Sequence, residues 1–172
     1  MSKIPIILII IIIFASCTAN NDQYAINGTV EGVNNGMIYL QKFDSEKWVN
    51  IDSTSLEKGR FTFKGTTAIP EMWQIIMEEK QIVVPVFVEN SNIDIEIFPD
   101  SLDKSIIKGS DSHDIYLQYI KSREVIDQKM DESYKEWKNA REVGDSIIMN
   151  HADSISTVLD GEMKKLLIDF AK

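Results

Sequence analysis

The chain has 172 residues, of which 44% are hydrophobic and 26% are charged, with a formal net charge of -9. This composition is typical of a globular protein, the length suits one domain with an appendage, and the acidic balance argues against nucleic acid as a partner. The single cysteine excludes an internal disulfide, a Cys-x-x-Cys redox pair and a zinc site built from thiolates.

The N-terminus has the pattern of an export signal. Lys3 precedes an apolar run from Ile4 to Phe14. A transmembrane helix needs about 20 apolar residues, and this run is roughly half as long. We therefore predict that residues 1–16 form a signal peptide that is cleaved on export.

The end of this signal carries a lipidation motif. Phe14-Ala15-Ser16-Cys17 resembles the lipobox of bacterial lipoproteins, whose cysteine is acylated, with palmitate as a common acyl group, and becomes the mature N-terminus. The motif departs from the commonest pattern at Phe14, where leucine is usual. The alternative is ordinary secretion, with Cys17 left as a free thiol.

From this resemblance we predict that Cys17 is lipidated. Its lipid would anchor the chain to the inner or outer membrane of a bacterial cell envelope, facing the periplasm or the cell surface. Residues 18–23 are mainly polar and have no periodicity, so residues 17–23 are predicted to form a short lipidated tether. The membrane, reached through the lipid on Cys17, is therefore the first predicted partner.

Residues 24–109 alternate between apolar and polar side chains, which predicts short strands. Seven or eight strands at this spacing indicate an antiparallel β-sandwich or a partly open barrel. The predicted runs are Tyr24–Val30, Met37–Phe43, the two arms of Trp48–Gly65, Met72–Met77, Ile82–Val88 and Ile93–Ile97.

The stretch Trp48–Gly65 is predicted to be a β-hairpin. Lys58-Gly59 would form its tight turn, because glycine tolerates the positive φ that such a turn requires. The apolar side chains that this hairpin would direct into the core are Ile51, Leu56, Phe61 and Phe63.

Two other strands have distinctive residues. Gly28 lies inside the first run and predicts a bulge or a close backbone approach. Ile82–Val88 is almost wholly apolar, which predicts a strand buried on both faces, although Pro85 favours an edge or a bulge.

Several loose motifs carry a family resemblance that covers about residues 24–140. They are Tyr24-x-Ile26-x-Gly28-x-Val30, Gly36-x-Ile38-Tyr39-Leu40, Asp52-Ser53-Thr54, Gly59-x-Phe61-x-Phe63-x-Gly65, Val88-Glu89-Asn90 and Lys108-Gly109-Ser110. This set resembles the domain of unknown function 4369, a β-sandwich module of bacterial lipoproteins that in many members precedes a thioredoxin-like domain of an envelope thiol:disulfide oxidoreductase. The resemblance implies no active site here, because the redox motif of those relatives lies in the thioredoxin-like part.

Residues 110–172 change to a helical period. Gly109-Ser110-Asp111 offers an N-cap, and Gly144-Asp145 would end one helix and cap the next, which predicts an antiparallel helical hairpin. The alternative is a kink at Gly144-Asp145 in place of a turn. The fold class is thus mainly β plus α, a sandwich followed by a helical pair. The apolar stripes are Tyr116, Tyr119, Ile126, Met130, Tyr134 and Trp137 on the first helix, and Ile148, Ala152, Ile155, Leu159, Met163, Leu166 and Phe170 on the second.

Few residues suggest a ligand site. His113 and His151 lack zinc-ligand spacing and are expected to be solvated. Asp94 and Glu96 alternate along one strand and predict a solvated acidic face, since no calcium-binding loop accompanies them. Asp52 is expected to have a turn or edge-strand role, with its carboxylate on backbone N–H groups.

We therefore expect a non-enzymatic, lipid-anchored envelope lipoprotein whose sandwich is a binding or scaffolding module. No catalytic, cofactor-binding or metal site is predicted, and the partner would be an envelope protein or a small ligand. The alternative is the N-terminal portion of a thioredoxin-like oxidoreductase whose catalytic domain is missing from this chain. A Trp-Cys-x-x-Cys motif encoded beyond residue 172 would support that alternative.

Overall fold

The computed structural model describes residues 22–171. The predicted signal peptide and Cys17 lie outside the described residues, as does most of the predicted tether. Within the described part, no helix is long and apolar enough to span a membrane. Its elements are β1 (Tyr24–Val30), β2 (Met37–Asp44), β3 (Lys47–Ser55), β4 (Arg60–Gly65), β5 (Glu71–Met77), β6 (Ile82–Val88), β7 (Asn92–Ile97), β8 (Ile106–Lys108), α1 (Asp111–Val143) and α2 (Ser146–Phe170), with short 3-10 turns at Glu78–Lys80 and Leu102–Lys104.

The eight strands form two four-stranded sheets. Sheet A has the order β4-β1-β7-β8, and sheet B has the order β3-β2-β5-β6. Neighbouring strands are antiparallel except β1 and β7, which run parallel. The predicted fold, a β-sandwich followed by two helices, is confirmed, with this one parallel pair as an addition.

The core lies between the two sheets and contains one face of each long inner strand. Ile26 of β1, Ile38 of β2 and Ile75 of β5 have no exposed surface, as the alternation predicts. The ring of Phe61 lies where a β-carbon on Gly28 would stand. Gly28 therefore permits a close approach of backbone and ring, one of the two predicted roles for this residue.

The predicted hairpin Trp48–Gly65 is wrong in its pairing. β3 pairs with β2 in sheet B, whereas β4 pairs with β1 in sheet A. The tight turn itself is present, because Lys58 and Gly59 have φ values of 54° and 77°, and Glu57 and Arg60 form an isolated bridge around it. The chain thus turns as predicted but crosses from one sheet to the other.

Ile51 is not a core residue, contrary to the prediction. Leu40 pairs with Asp52 and Gln41 pairs with Asn50, so Ile51 is an extra residue in a bulge. A bulge breaks the period of two, and the Ile51 side chain is 40% exposed. The other apolar positions of this stretch, Leu56, Phe61 and Phe63, are buried as predicted.

β6 is buried on one face only, which corrects the prediction of two buried faces. Val84 and Val86 lie in the core, whereas Val83 is 46% exposed and Pro85 is exposed. The strand is at the edge of sheet B, as Pro85 predicts. Its outer face is open because the helices contact this strand chiefly near Phe87.

The two helices form the predicted antiparallel hairpin. Gly144 ends α1 with a φ of 73°, and the Asp145 carboxylate accepts hydrogen bonds from the first turn of α2. The stacked rings of Tyr119 and Phe170, 4.5 Å apart, join the start of α1 to the end of α2.

The interface between the helices has a seven-residue repeat, which is typical of a coiled coil. Tyr134 is 63% exposed, so its predicted place in the stripe is wrong. Ser133 takes that position and donates a hydrogen bond to the Ala152 carbonyl oxygen at 3.0 Å. The repeated positions are Tyr119, Ile126, Ser133 and Ala140 on α1, and Ala152, Leu159 and Leu166 on α2.

Candidate functional site

The helix–sheet joint is the place where α1 meets β6, and it consists of Phe87, Glu89, Ser110, His113 and Tyr116. Ser110 caps α1 by accepting a hydrogen bond from the His113 N–H at 3.0 Å. The Glu89 carboxylate accepts from the Asp111 N–H at 2.6 Å. These acceptors satisfy N–H groups that the first turn of a helix leaves unpaired.

His113 is buried in this joint, with 4% of its surface exposed, so the prediction of a solvated histidine is wrong. Its Nδ1 atom accepts a hydrogen bond from the Phe87 N–H at 3.4 Å, and its ring lies beside Tyr116. The cap at Ser110 fixes the start of α1 so that His113 faces the edge of β6. His151 is exposed, as predicted.

The joint should lose stability in acid. Burial lowers the pKa of the His113 imidazole below its usual value of 6.5, although the nearby Asp114 carboxylate opposes the shift. Below about pH 6.5 the unfolded chain therefore takes up a proton before the folded chain does, which favours unfolding. A protonated Nδ1 also cannot accept the hydrogen bond from the Phe87 N–H. Glu89 and Asp111 are the other carboxylates at this joint.

We expect His113→Asn, which keeps an acceptor and cannot titrate, to remove this part of the pH dependence. The free energy of unfolding, measured by urea between pH 7.5 and 5, should fall less steeply in the variant. One proton accounts for a slope of at most about 1.4 kcal/mol per pH unit. His151→Asn is the matched control and should follow the wild-type curve. Parallel curves for the wild type and His113→Asn would contradict the assignment.

The acidic strand residues occupy the outer face of sheet A. Asp94 and Glu96 are exposed, as predicted, while Ile93 and Ile95 face the core. Lys108 pairs directly across from Asp94. In the described part of the chain, no group of three or more histidine, cysteine, aspartate or glutamate residues could hold a metal ion.

Asp52 lies on the edge strand β3, as predicted, and its carboxylate accepts the Ser53 N–H at 2.7 Å. Its second neighbour is Tyr24. Burial, and to a smaller extent the Asp52 carboxylate, raises the pKa of the Tyr24 hydroxyl. This interaction joins β3 of sheet B to β1 of sheet A and has a structural role.

Three adjoining clefts lie along the outer side of sheet A and one end of the sandwich. Their volumes are about 520, 380 and 440 Å³. Their charged side chains are mixed in sign, which gives the surface no preference for an anion or a cation. These side chains are Lys58, Arg60, Lys104 and Lys108, with Glu31, Asp94, Glu96 and Asp100.

The outer face of sheet B is different, because none of its outward-pointing strand side chains is charged. We call this surface the uncharged face. Cross-strand pairing and burial define its members. They are Met37, Tyr39, Gln41 and Phe43 on β2, Trp48, Asn50, Ser53 and Ser55 on β3, Met72, Gln74 and Ile76 on β5, and Val83, Pro85 and Phe87 on β6. The helices cover this face at Phe87, whose ring packs against Tyr116 and Phe170.

A row of amides crosses the middle of the uncharged face. The Gln74 Nε2 atom donates to Gln41 Oε1 at 2.8 Å, and the Gln41 Nε2 atom donates to Asn50 Oδ1 at 2.7 Å. The row therefore joins β5, β2 and β3 perpendicular to the strands. Mutual hydrogen bonds hold the three side chains in one orientation.

An aromatic pair stands beside this row. Phe43 and Trp48 face each other across β2 and β3, with ring centroids 5.5 Å apart in an edge-to-face arrangement. Their side chains are 55% and 41% exposed. An exposed aromatic pair next to ordered amides offers both flat apolar contact and hydrogen bonds, the combination common in ligand sites.

Sequence reasoning did not identify this face. The alternation in β2 places Tyr39, Gln41 and Phe43 on one side, which is a usable signal within that strand. Asn50 and Gln74 come from strands whose neighbours the alternation does not specify. The assembled surface therefore becomes visible only with the strand order.

One protein family matches the sandwich. The family model described as Domain of unknown function (DUF4369) matches residues 24–116, more than half of the chain. No curated protein gives a match. The matched range contains all eight strands and the first turns of α1, so it includes the helix–sheet joint.

Proposed function

This chain belongs to the DUF4369 family, and we propose that it is a non-catalytic, lipid-anchored protein of the bacterial cell envelope whose β-sandwich is a binding module. The main support for the lipid anchor is the motif Phe14-Ala15-Ser16-Cys17. A short apolar run ends there, at the single cysteine of the chain. An exported, unpaired thiol is open to oxidation, and acylation would remove that exposure.

The spacing between Cys17 and the sandwich supports this proposal. β1 begins at Tyr24, seven residues after Cys17. A fully extended segment of that length spans roughly 25 Å. The lipid would therefore hold the sandwich within about that distance of the membrane surface.

The non-catalytic part of the proposal is supported by the cysteine count. Thiol:disulfide exchange within one protein needs an attacking thiolate and a resolving thiol. The chain has one cysteine, and we propose that its sulfur is bonded to lipid. This count argues against thiol:disulfide exchange by the chain itself and favours a binding role for the sandwich.

Replacing Cys17 with serine should abolish the anchor. We expect the wild-type chain, produced in a bacterium that processes lipoproteins, to appear in the membrane fraction. Intact mass should show an acylated Cys17 and the loss of residues 1–16. Cys17→Ser should leave the signal uncleaved at this site and carry no acyl mass. The neighbouring Thr18→Ser is the control and should be processed normally. A serine variant that is processed and acylated as before would overturn the proposal.

A further inference from the structure

We propose that the uncharged face of sheet B binds a neutral carbohydrate chain, with the amide row contacting sugar hydroxyls and the Phe43–Trp48 pair contacting a sugar ring. This inference gives a ligand class to the binding role proposed above. It does not depend on the lipid anchor.

The hydrogen-bonding chemistry of the amide row suits hydroxyl groups. A hydroxyl both donates and accepts, and so does a side-chain amide. The bonds from Gln74 to Gln41 and from Gln41 to Asn50 determine where the oxygen and the nitrogen of each amide point. They leave the Gln74 carbonyl oxygen, the Asn50 amino group and one N–H on each glutamine for a ligand. Because the row is ordered beforehand, binding loses less side-chain entropy.

The aromatic pair supplies the apolar contact. Sugar rings have faces lined by C–H groups, and these pack well on flat aromatic surfaces. Phe43 and Trp48 are both more than 40% exposed although they are among the largest apolar side chains. Sheet strands lie about 4.8 Å apart, so the row from Asn50 to Gln74 covers roughly 10 Å. A site of that length fits an oligosaccharide better than one sugar.

The charge pattern selects a neutral ligand. The chain carries a net charge of -9 and 26% charged residues, yet no outward-pointing strand side chain of the uncharged face is charged. A charged ligand would lose its hydration there without gaining a counter-charge. A second copy of the chain is disfavoured, because both copies are acidic and amides occupy the middle of the face where a dimer interface is usually apolar.

Isothermal titration calorimetry with defined neutral oligosaccharides tests this proposal. The probes are hexasaccharides of glucose, xylose and mannose in several linkages, with a uronic-acid hexasaccharide as the charged comparison. The full chain is used in a detergent without a sugar headgroup. We expect at least one neutral hexasaccharide to bind, and the uronic-acid probe to bind at least tenfold more weakly. Trp48→Ala and Gln41→Ala should each weaken the binding at least tenfold.

Matched controls come from the other sheet. Thr62→Ala and Lys64→Ala, on the outer face of sheet A, should change the affinity less than twofold. Circular dichroism of each variant checks that the fold is retained, and Gln74→Ala provides a second test of the amide row. The proposal is overturned if no neutral probe binds at 10 mM, if the charged probe binds more tightly, or if the sheet B variants bind like the wild type. A dimer that Trp48→Ala dissociates would also overturn it, by assigning the face to a second copy.

These outcomes are separate from those of the anchoring experiment. A chain that is acylated at Cys17 but binds no carbohydrate would refute this inference alone. A chain that binds a neutral oligosaccharide but carries no acyl group would refute the lipid anchor alone.

Discussion

Phe63→Ala and Phe61→Ala should each lower the free energy of unfolding by about 3–5 kcal/mol, the usual loss for a fully buried phenylalanine. Both side chains are in the core, with 1% and 4% of their surface exposed. The Phe63 ring is 5.6 Å from that of Phe61, and the Phe61 ring covers Gly28. Truncation would leave a cavity that the rigid sheets can fill only in part.

Urea denaturation monitored by circular dichroism measures this loss of stability. The urea concentration at the midpoint of unfolding should fall, while the slope of the unfolding free energy against urea concentration stays unchanged. Lys64→Ala is the matched control on the same strand. Its side chain is exposed, so the expected change is within about 0.5 kcal/mol. The double phenylalanine variant should depart from additivity, because the two rings are in contact. If the midpoints of the two phenylalanine variants change as little as that of Lys64→Ala, the assignment of Phe61 and Phe63 to the core face of β4 is wrong.

Gly109→Ala should be strongly destabilising although it adds only one methyl group. Gly109 has a φ of 87°, a conformation that raises the energy of other residues by about 1–2 kcal/mol. A β-carbon there would also overlap the carbonyl oxygen of Asn92. Both elements adjoining Gly109 are fixed, β8 by pairing with β7 and α1 by its Ser110 cap. We therefore expect a loss of more than about 2 kcal/mol.

Gly144→Ala separates the two contributions. Gly144 has a similar φ of 73° but open space around the position of a β-carbon. Its substitution should show the backbone strain without the steric overlap, a loss of about 1–2 kcal/mol. The thermal midpoint of each variant gives the comparison. Equal losses of stability in the two variants would mean that the Asn92 carbonyl moves aside without a measurable loss of stability.

The strands, turns and caps were predictable because each depends on neighbouring residues. Alternation identified β1, β2 and β7, and the caps at Ser110 and Asp145 followed from side chains that can accept helix N–H groups. The same local reasoning failed at Trp48–Gly65. Its two arms alternate as a hairpin would, but their hydrogen-bonding partners are β2 and β1. Which strands pair with each other depends on the whole sandwich and not on the residues of one strand.

The residues missed by sequence reasoning have the same cause. His113 belongs to a mainly polar first turn of α1, and its burial depends on tertiary packing, which includes the contact with Phe87 of β6. Gln41, Asn50 and Gln74 are ordinary polar residues until strand order places them in one row. The lone bulge residue Ile51 cannot be recognised without the pairing of β2 with β3. Tertiary neighbours, and not local propensity, determine each of these environments.

The parallel pair of β1 and β7 also determines the sequence of events in which the sandwich can assemble. Sheet B consists of two local hairpins, β2 with β3 and β5 with β6, and all its strands exist once the chain has reached Val88. β1 can pair with β4 once the chain has reached Gly65. Its other edge lacks a partner until β7 is complete at Ile97, because Ala25 pairs with Asn92 across a long intervening segment whose closure is entropically slow. The first strand of the chain therefore completes its hydrogen bonding only after all four strands of the opposite sheet are available.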